Sequence, residues 1–377
     1  HRKMQEDNIN PSVHTFLALL KACTKLKDIE KGWNIHLEVL HHGFDKHASI
    51  APALIDMYSQ CGMLIEALEV FEELTYQDEL SWSRLIAGYV EHGPQNEALK
   101  LFDQMKLAGV NPSGSIFSGT FKVCGALGII EKGYELHTEL VMKGLDRDNF
   151  AGTSLVCMYA KCGSIEDARE SFQRLPDRDV VSWNTLIAGY VDSADGEEAL
   201  NCFAEMKMQG VSPDSVTYSS SLKACGILRL IDKGREIHME VVLTAIENDL
   251  SISNNLIGMY AKCEFVLESQ HVFNYMPVKN AASWTSLIAG FADHGLAAQA
   301  LDYIESMQFE GISPDAVIFA CSLNACCILG DLDIARKEHT DIVQRGLEKD
   351  PAVGSTLVSM YAKLGAVAEA QNAFDKL

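Results

Sequence analysis

Residues 233–242 read KGREIHMEVV, and His238-Met239-Glu240 within them has the spacing of half a zinc-deaminase centre. In such a centre a His holds the metal and a Glu moves protons. Eleven cysteines add further candidate ligands. An active site should be local, yet His238 recurs as His36, His137 and His339, in HLE, HTE and HTD, each 101 residues from the next. No copy has the P-C-x-x-C that would complete a zinc site, and no C-x-x-C occurs anywhere. Cys23, Cys124, Cys225 and Cys326 share the interval, as do Cys61, Cys162 and Cys263. Small buried thiols suit such a series better than a metal centre. The phosphate-loop motif G-x-x-x-x-G-K-S/T, G-x-S-x-G and H-E-x-x-H are all missing, which leaves nucleotide-hydrolysing, serine-hydrolase and zincin chemistry without support. No catalytic residue, metal or cofactor is expected, and any deaminase has to be sought outside this chain.

The same interval organises everything else. Trp82, Trp183 and Trp284 obey it, as do Tyr58, Tyr159, Tyr260 and Tyr361, and Pro11, Pro112, Pro213 and Pro314. SWSRLIAGYV, SWNTLIAGYV and SWTSLIAGFA superpose without a gap. Each period of 101 residues divides into units of 35, 35 and 31. In each unit a first amphipathic segment such as VVSWNTLIAGYV has apolar residues at helical spacing. A second, such as GEEALNCFAEMKMQG, opens on acids and closes on Gly, signals of a helix start and end. Pro213 then stops it. Such short helices are marginal alone and must stack on their neighbours. Ala98, Ala199 and Ala300 recur in the second helix where close packing needs a small residue. The expected architecture is an all-α solenoid without separate domains or linkers, beginning in one unit's tail (1–12) and stopping inside another (351–377).

Composition sets outer limits. With 47% hydrophobic and 22% charged residues in 377, the chain is neither disordered nor fibrous. No apolar run approaches the roughly 18 residues of a membrane span. No Arg- and Ser-rich leader or secretory core is seen, so any targeting segment is expected to be missing from this chain. The odd cysteine count in so long a chain favours a reducing compartment. A formal charge of −21 opposes indiscriminate adhesion to nucleic acid, without excluding one held in a locally basic groove.

These words resemble the plant pentatricopeptide repeat (PPR) family, and specifically its P-L-S subclass, over essentially the whole chain. Units 79–113, 180–214 and 281–315, ending in NPS, SPD and SPD, look like P motifs. Units 13–47, 114–148, 215–249 and 316–350, with KACTKL, KVCGAL, KACGIL and NACCIL, look like L motifs. Units 48–78, 149–179, 250–280 and the partial 351–377, three of which carry MYSQCG, MYAKCG and MYAKCE, look like S motifs. A tetratricopeptide array lacks this 35/35/31 alternation, and its W-x-x-L-G-x-x-Y pattern is not present. The resemblance implies a right-handed superhelix of stacked helix-turn-helix repeats that binds single-stranded RNA, one nucleotide per repeat. P-L-S members mostly direct C-to-U editing in mitochondria and chloroplasts.

Helical-repeat readers hydrogen-bond the Watson–Crick edges of unstacked bases. In the family, position 5 of each repeat and its last residue select the base, and position 2 packs against it. Carried over, Thr153 with Asp179 and Thr285 with Asp315 resemble guanine-preferring pairs. Asn184 with Asp214 resembles a uracil-preferring pair, and Asn254 with Asn280 a pyrimidine pair, cytosine favoured. L motifs follow the code less well: they carry Ser118 with Asp148, Ser219 with Asp249, and Ala320 with Asp350. Val181, Val216 and Val317 offer apolar surface at position 2. The N-terminal pairs Leu17/His47, Pro52/Asp78 and Ser83/Ser113 fit no rule and are read as scaffold. The readable stretch is G-U-N-Y-G. The competing reading of each polar residue is a solvated helix face or a cap.

Lysines give the same face a charge. Position 9 of the L motifs holds Lys21, Lys122 and Lys223, and position 13 of the S motifs holds Gln60, Lys161, Lys262 and Lys363. If the first helices line the groove, these form a phosphate ladder. Ordinary exposed lysines are the alternative. The functional expectation is sequence-specific RNA recognition within an editing factor, with catalysis from a DYW-type deaminase beyond residue 377 or in trans. Multiple organellar RNA editing factor proteins are the expected protein partners, and no membrane. The alternative is a structural subunit of an organellar ribonucleoprotein such as a ribosome.

Overall fold

The computed structural model of the chain describes residues 10–45, 47–244, 246 and 249–376, so most of the segment 1–12 lies outside the described residues. It forms two compact units, residues 1–189 and 190–377. The first contains helices α1 (Val13–Leu26), α2 (Ile29–His41), α3 (Ile50–Gln60), α4 (Leu64–Glu72), α5 (Glu79–His92), α6 (Gln95–Leu107), α7 (Gly114–Leu127), α8 (Ile130–Met142), α9 (Asn149–Lys161) and α10 (Ile165–Gln173). The division falls inside α11 (Val180–Asp192). The second contains α12 (Gly196–Met208), α13 (Ser215–Leu228), α14 (Ile231–Leu243), α15 (Leu250–Lys262), α16 (Val266–Tyr275), α17 (Ala281–Asp293), α18 (Ala297–Phe309), α19 (Ala316–Leu329), α20 (Leu332–Gln344), α21 (Pro351–Lys363) and α22 (Val367–Asp375). No strand occurs among the described residues. Odd-numbered helices open the hairpins and even-numbered helices close them.

Within each unit, a first helix packs on its own second helix, on the second helix before it and on the first helix after it. The periodic residues make these contacts. Trp82 meets Phe71 edge-on with centroids 4.5 Å apart, and Phe172–Trp183 and Phe273–Trp284 repeat the pair at 4.6 and 4.7 Å. This edge-to-face geometry adds to the burial of the large rings. Gly133 in α8 and Gly234 in α14 lie where an added Cβ would come within 2.6 and 2.5 Å of the Met158 and Met259 sulfurs, so the helices approach closely there. The fourth copy of that position is Ala335, fully buried, which shows that the contact can accept one methyl group.

The His of each H-x-E is part of the same packing. His36, His137, His238 and His339 meet the hydroxyls of Tyr58, Tyr159, Tyr260 and Tyr361 through Nδ1 at 2.8, 2.8, 2.8 and 2.9 Å. Each contact ties the second helix of a 35-residue unit to the first helix of the 31-residue unit after it. Burial pushes all four imidazole pKa values down and lifts the Tyr58 hydroxyl to about 12. Glu240, the acid of the opening motif, pairs instead with Lys207. The H-x-E is thus a helix-stacking clamp, and no group of three or more metal-capable side chains gathers among the described residues. Among the described residues, no helix is long and apolar enough to cross a membrane.

Candidate nucleic-acid interface

The last residue of nearly every repeat also caps the first helix of the repeat that follows. Asp78 accepts from the Ser81 amide at 2.9 Å, Asp148 from Ala151 at 2.7 Å and Asp179 from Ser182 at 2.9 Å. In the second unit Asp214 accepts from Thr217 and Asp315 from Ile318, both at 2.9 Å. Asp249 accepts from Ser251 at 2.9 Å, and Asp350 from Ala352 at 3.0 Å. Asn280 accepts from both the amide and the hydroxyl of Ser283, at 3.0 and 2.9 Å. An N-cap needs one side-chain oxygen, so these groups are oriented before any ligand arrives. A cap and a base-reading role are therefore compatible in one residue.

Position 2 is open. Val181, Val216 and Val317 are 58%, 52% and 53% exposed, an unusual state for an aliphatic residue repeated at one helical position. Position 5 is less uniform. Asn184 is nearly buried, Thr153 half-buried, and Thr285 half-buried with its hydroxyl donating to the Ala281 carbonyl at 2.8 Å. Ser118 is only 1% exposed and its hydroxyl bonds that of Ser154 at 2.6 Å. Ser219 is nearly buried and faces Ser251 at 3.3 Å. Ser118 thus sits at the seam between α7 and α9 with its hydroxyl already engaged, and it presents little of its surface for the expected base reading. Ala320 is half-buried and has no polar group to offer.

Two grooves bring some of these residues together, while Thr153, Asn184 and Thr285 line neither. In the first unit a groove of about 860 Å³ runs over α5, α7 and α9. Ser83, Ser113, Ser118, Lys122 and Lys161 line it. In the second unit a groove of about 440 Å³ runs over α13, α15 and α17, with Lys223, Lys262 and Asn254 in its wall. There Asn254 Nδ2 lies 3.4 Å from Asn280 Oδ1. Asn280 Oδ1 is fixed as an acceptor by its cap, which sets Asn254 with its amide toward Asn280. The Asn254 Oδ1 is left buried without a partner. An orphan acceptor of this kind is costly unless a donor arrives.

The lysines of the ladder, Lys122, Lys161, Lys223, Lys262 and Lys363, are all exposed. Lys21 is exposed as well, in α1. Acids are not confined to the second helices: Glu79 and Glu91 enter the first groove and Asp293 the second. Gln60 bonds Glu91 at 2.7 Å, so the residue in the lysine register of the first S-like unit binds an acid. Three groove residues escaped the sequence reading. Leu80 and Phe150 occupy position 2 of their repeats, and the rule that yielded the three valines points to both. Arg84 follows Ser83 and pairs with Asp56 at 3.3 Å, and no periodic signal marks it.

A profile described as PPR repeat matches residues 53–77, 80–110, 153–180 and 282–312, and one described as PPR repeat family matches 178–226. Two chloroplastic pentatricopeptide repeat-containing proteins of Arabidopsis thaliana are 30% and 33% identical over the whole of this chain. A mitochondrial one is 32% identical over 99% of it. The chain spans 43%, 46% and 36% of the lengths of these relatives. Among solved structures, PPR10 in complex with an 18-nt psaJ RNA element superposes with TM-score 0.84 at 21% identity, over 99% of this chain and 56% of that one. PPR10 from maize gives 0.68 at 19%, over 100% and 60%. These structural likenesses show a shared fold, an all-α solenoid of helical hairpins. Together with the matching profiles and relatives, they establish that the chain belongs to the pentatricopeptide repeat family.

Proposed function

We propose that the chain reads single-stranded RNA one nucleotide per repeat, as the recognition part of a C-to-U editing factor of mitochondria or chloroplasts. The observation that carries this reading is the Asn254–Asn280 contact, set in a groove with Lys223 and Lys262. The Asn254 amide, whose buried oxygen has no donor here, gains one when the side chain turns to meet a base edge, and the two lysines give a phosphate a countercharge. The organelle-targeted names of the relatives and the RNA complex of PPR10 point the same way. The 35/35/31 alternation supports the P-L-S subclass. The pairs that do the reading are Thr153/Asp179, Asn184/Asp214, Asn254/Asn280 and Thr285/Asp315, with Val181, Val216 and Val317 packing beside the bases. Asp148, Ser219 and Asp249 belong to L motifs that contribute less. The chain's own chemistry is binding. Deamination comes from a DYW-type domain outside these residues or in trans, and multiple organellar RNA editing factor proteins assist.

The test is recoding. Asn254→Thr combined with Asn280→Asp keeps a cap and creates the pair type assigned to guanine. In a panel of RNA oligonucleotides differing at one position, preference there moves from a pyrimidine to guanine, by about tenfold for one hydrogen bond gained and one lost. Equal affinity of the unaltered protein for every oligonucleotide would sink the reading and leave a structural subunit of a ribonucleoprotein in its place.

A further inference from the structure

The second unit carries a row of large apolar side chains that its own packing leaves uncovered. Met208, Leu243, Tyr275 and Phe309 are the last residues of α12, α14, α16 and α18, four consecutive second helices. They are 87%, 80%, 83% and 93% exposed, and Val278, just after α16, is exposed as well. Helices that close successive hairpins run in the same sense, and Lys207–Glu240, Arg235–Glu268 and Gln270–Tyr303 tie them side by side. Their C-terminal ends therefore share one edge. Contiguous exposed apolar surface of this kind marks an interaction site. The row is not a requirement of the repeat. In the first unit Leu107 and Met142 begin a similar series, but Arg174 and Asp177 stand where the second unit has Tyr275 and Val278.

Two features say what covers the row. Its five side chains offer roughly 800 Å², the share that one partner gives to a standard interface. The charges along it alternate: Lys207 precedes Met208, Glu240 lies one turn before Leu243, Lys279 follows Val278 and Glu310 follows Phe309. Read from the other end, every sign is inverted. An antiparallel second copy thus sets Lys207 against the partner's Glu310 and Glu240 against the partner's Lys279, whereas a parallel copy sets like charges together. Glu310 has no ion pair among the described residues. A surface complementary to itself about a two-fold axis is what an isologous dimer needs.

We propose that the chain dimerises through this edge, with Phe309 packing toward the partner's Met208 and Leu243 toward the partner's Tyr275. None of the residues proposed to read RNA belongs to the row, so the dimer forms with or without RNA.

The experiment is sedimentation velocity of the full chain at about 50 µM, above the micromolar dissociation constants at the weak end for interfaces of this size. The unaltered protein sediments with twice the mass of one chain. Phe309→Glu weakens association by about tenfold or more, and its unfolding temperature is unchanged because the ring is exposed. Leu107→Glu, in the interrupted series of the first unit, leaves association as it was. Glu310→Lys weakens it by placing a lysine against the partner's Lys207, and adding Lys207→Glu in the same chain regains most of the loss. A monomer at this concentration, or a dimer that Phe309→Glu does not weaken, overturns the proposal. Growth beyond two copies, or no recovery in the double charge variant, overturns the antiparallel arrangement.

Discussion

The two grooves share two equivalent first helices, α7 and α9 against α13 and α15, yet they differ in what those helices present. Over α13, α15 and α17 the wall includes Asn254, whose amide meets Asn280 and whose buried oxygen lacks a donor. Over α5, α7 and α9 the counterpart of Asn254 is the half-buried Thr153, and the exposed ring of Phe150 stands where the second unit has Ser251. Lysines stand at matching positions in both, Lys122 and Lys161 against Lys223 and Lys262. The comparison teaches that the scaffold and the charge repeat faithfully while the recognition chemistry does not.

Three experiments press on that contrast. The largest effect tests whether the scaffolds are equal. Gly133→Val and Gly234→Val each force a branched side chain against the Met158 or Met259 sulfur, and each should cost about 1–3 kcal/mol of stability in denaturant unfolding. Very unequal losses would mean that the two regions do not share one scaffold. Charge comes next. Lys122→Ala with Lys161→Ala, and Lys223→Ala with Lys262→Ala, should each weaken RNA binding about tenfold at low salt and each lower the salt slope by about 1.4, the value for two single-strand phosphates. A slope that changes for only one pair would confine the RNA backbone to one groove.

The smallest effect comes from the His–Tyr clamps. Burial lowers the folded-state imidazole pKa, so below about pH 6.5 the unfolded chain binds more protons than the folded one. The clamp contribution is complete above that pH and declines as pH falls through the lowered folded values. Unfolding temperature should fall by a few degrees at most between about pH 7.5 and pH 5.5, and His238→Gln should flatten that dependence.

Much of this was legible in the chain. The interval of 101 residues, the apolar spacing and the Gly and Pro stops are local signals, and helical hairpins follow from them directly. The capping role of Asp179 or Asn280 is also local, because a hydroxyl residue stands three positions on in Ser182 and Ser283. What was hidden depends on partners far along the chain. Nothing near Ser118 says that its hydroxyl will meet Ser154, and nothing near Arg84 says that it will reach back to Asp56. A helical stripe tells which residues share a face, but whether a given one points into the groove or into the seam between stacked helices depends on the size of residues in the next repeat. Phe150 was visible from its position and missed because its unit was read through Thr153 alone.

The caps have a consequence for how such a chain changes over time. The last residue of a repeat must start the following helix, so only good N-cap formers are cheap there, and Asp, Asn and Ser rank among the best. The sites are in fact Asp78, Ser113, Asp148, Asp179, Asp214, Asp249, Asn280, Asp315 and Asp350, with His47 the exception. On the RNA reading proposed above, folding thereby restricts the alphabet available for recognition: an Asn–Asp exchange would rewrite a letter while the helix still begins, whereas an exchange to an aliphatic residue would erase the letter and weaken the stack together.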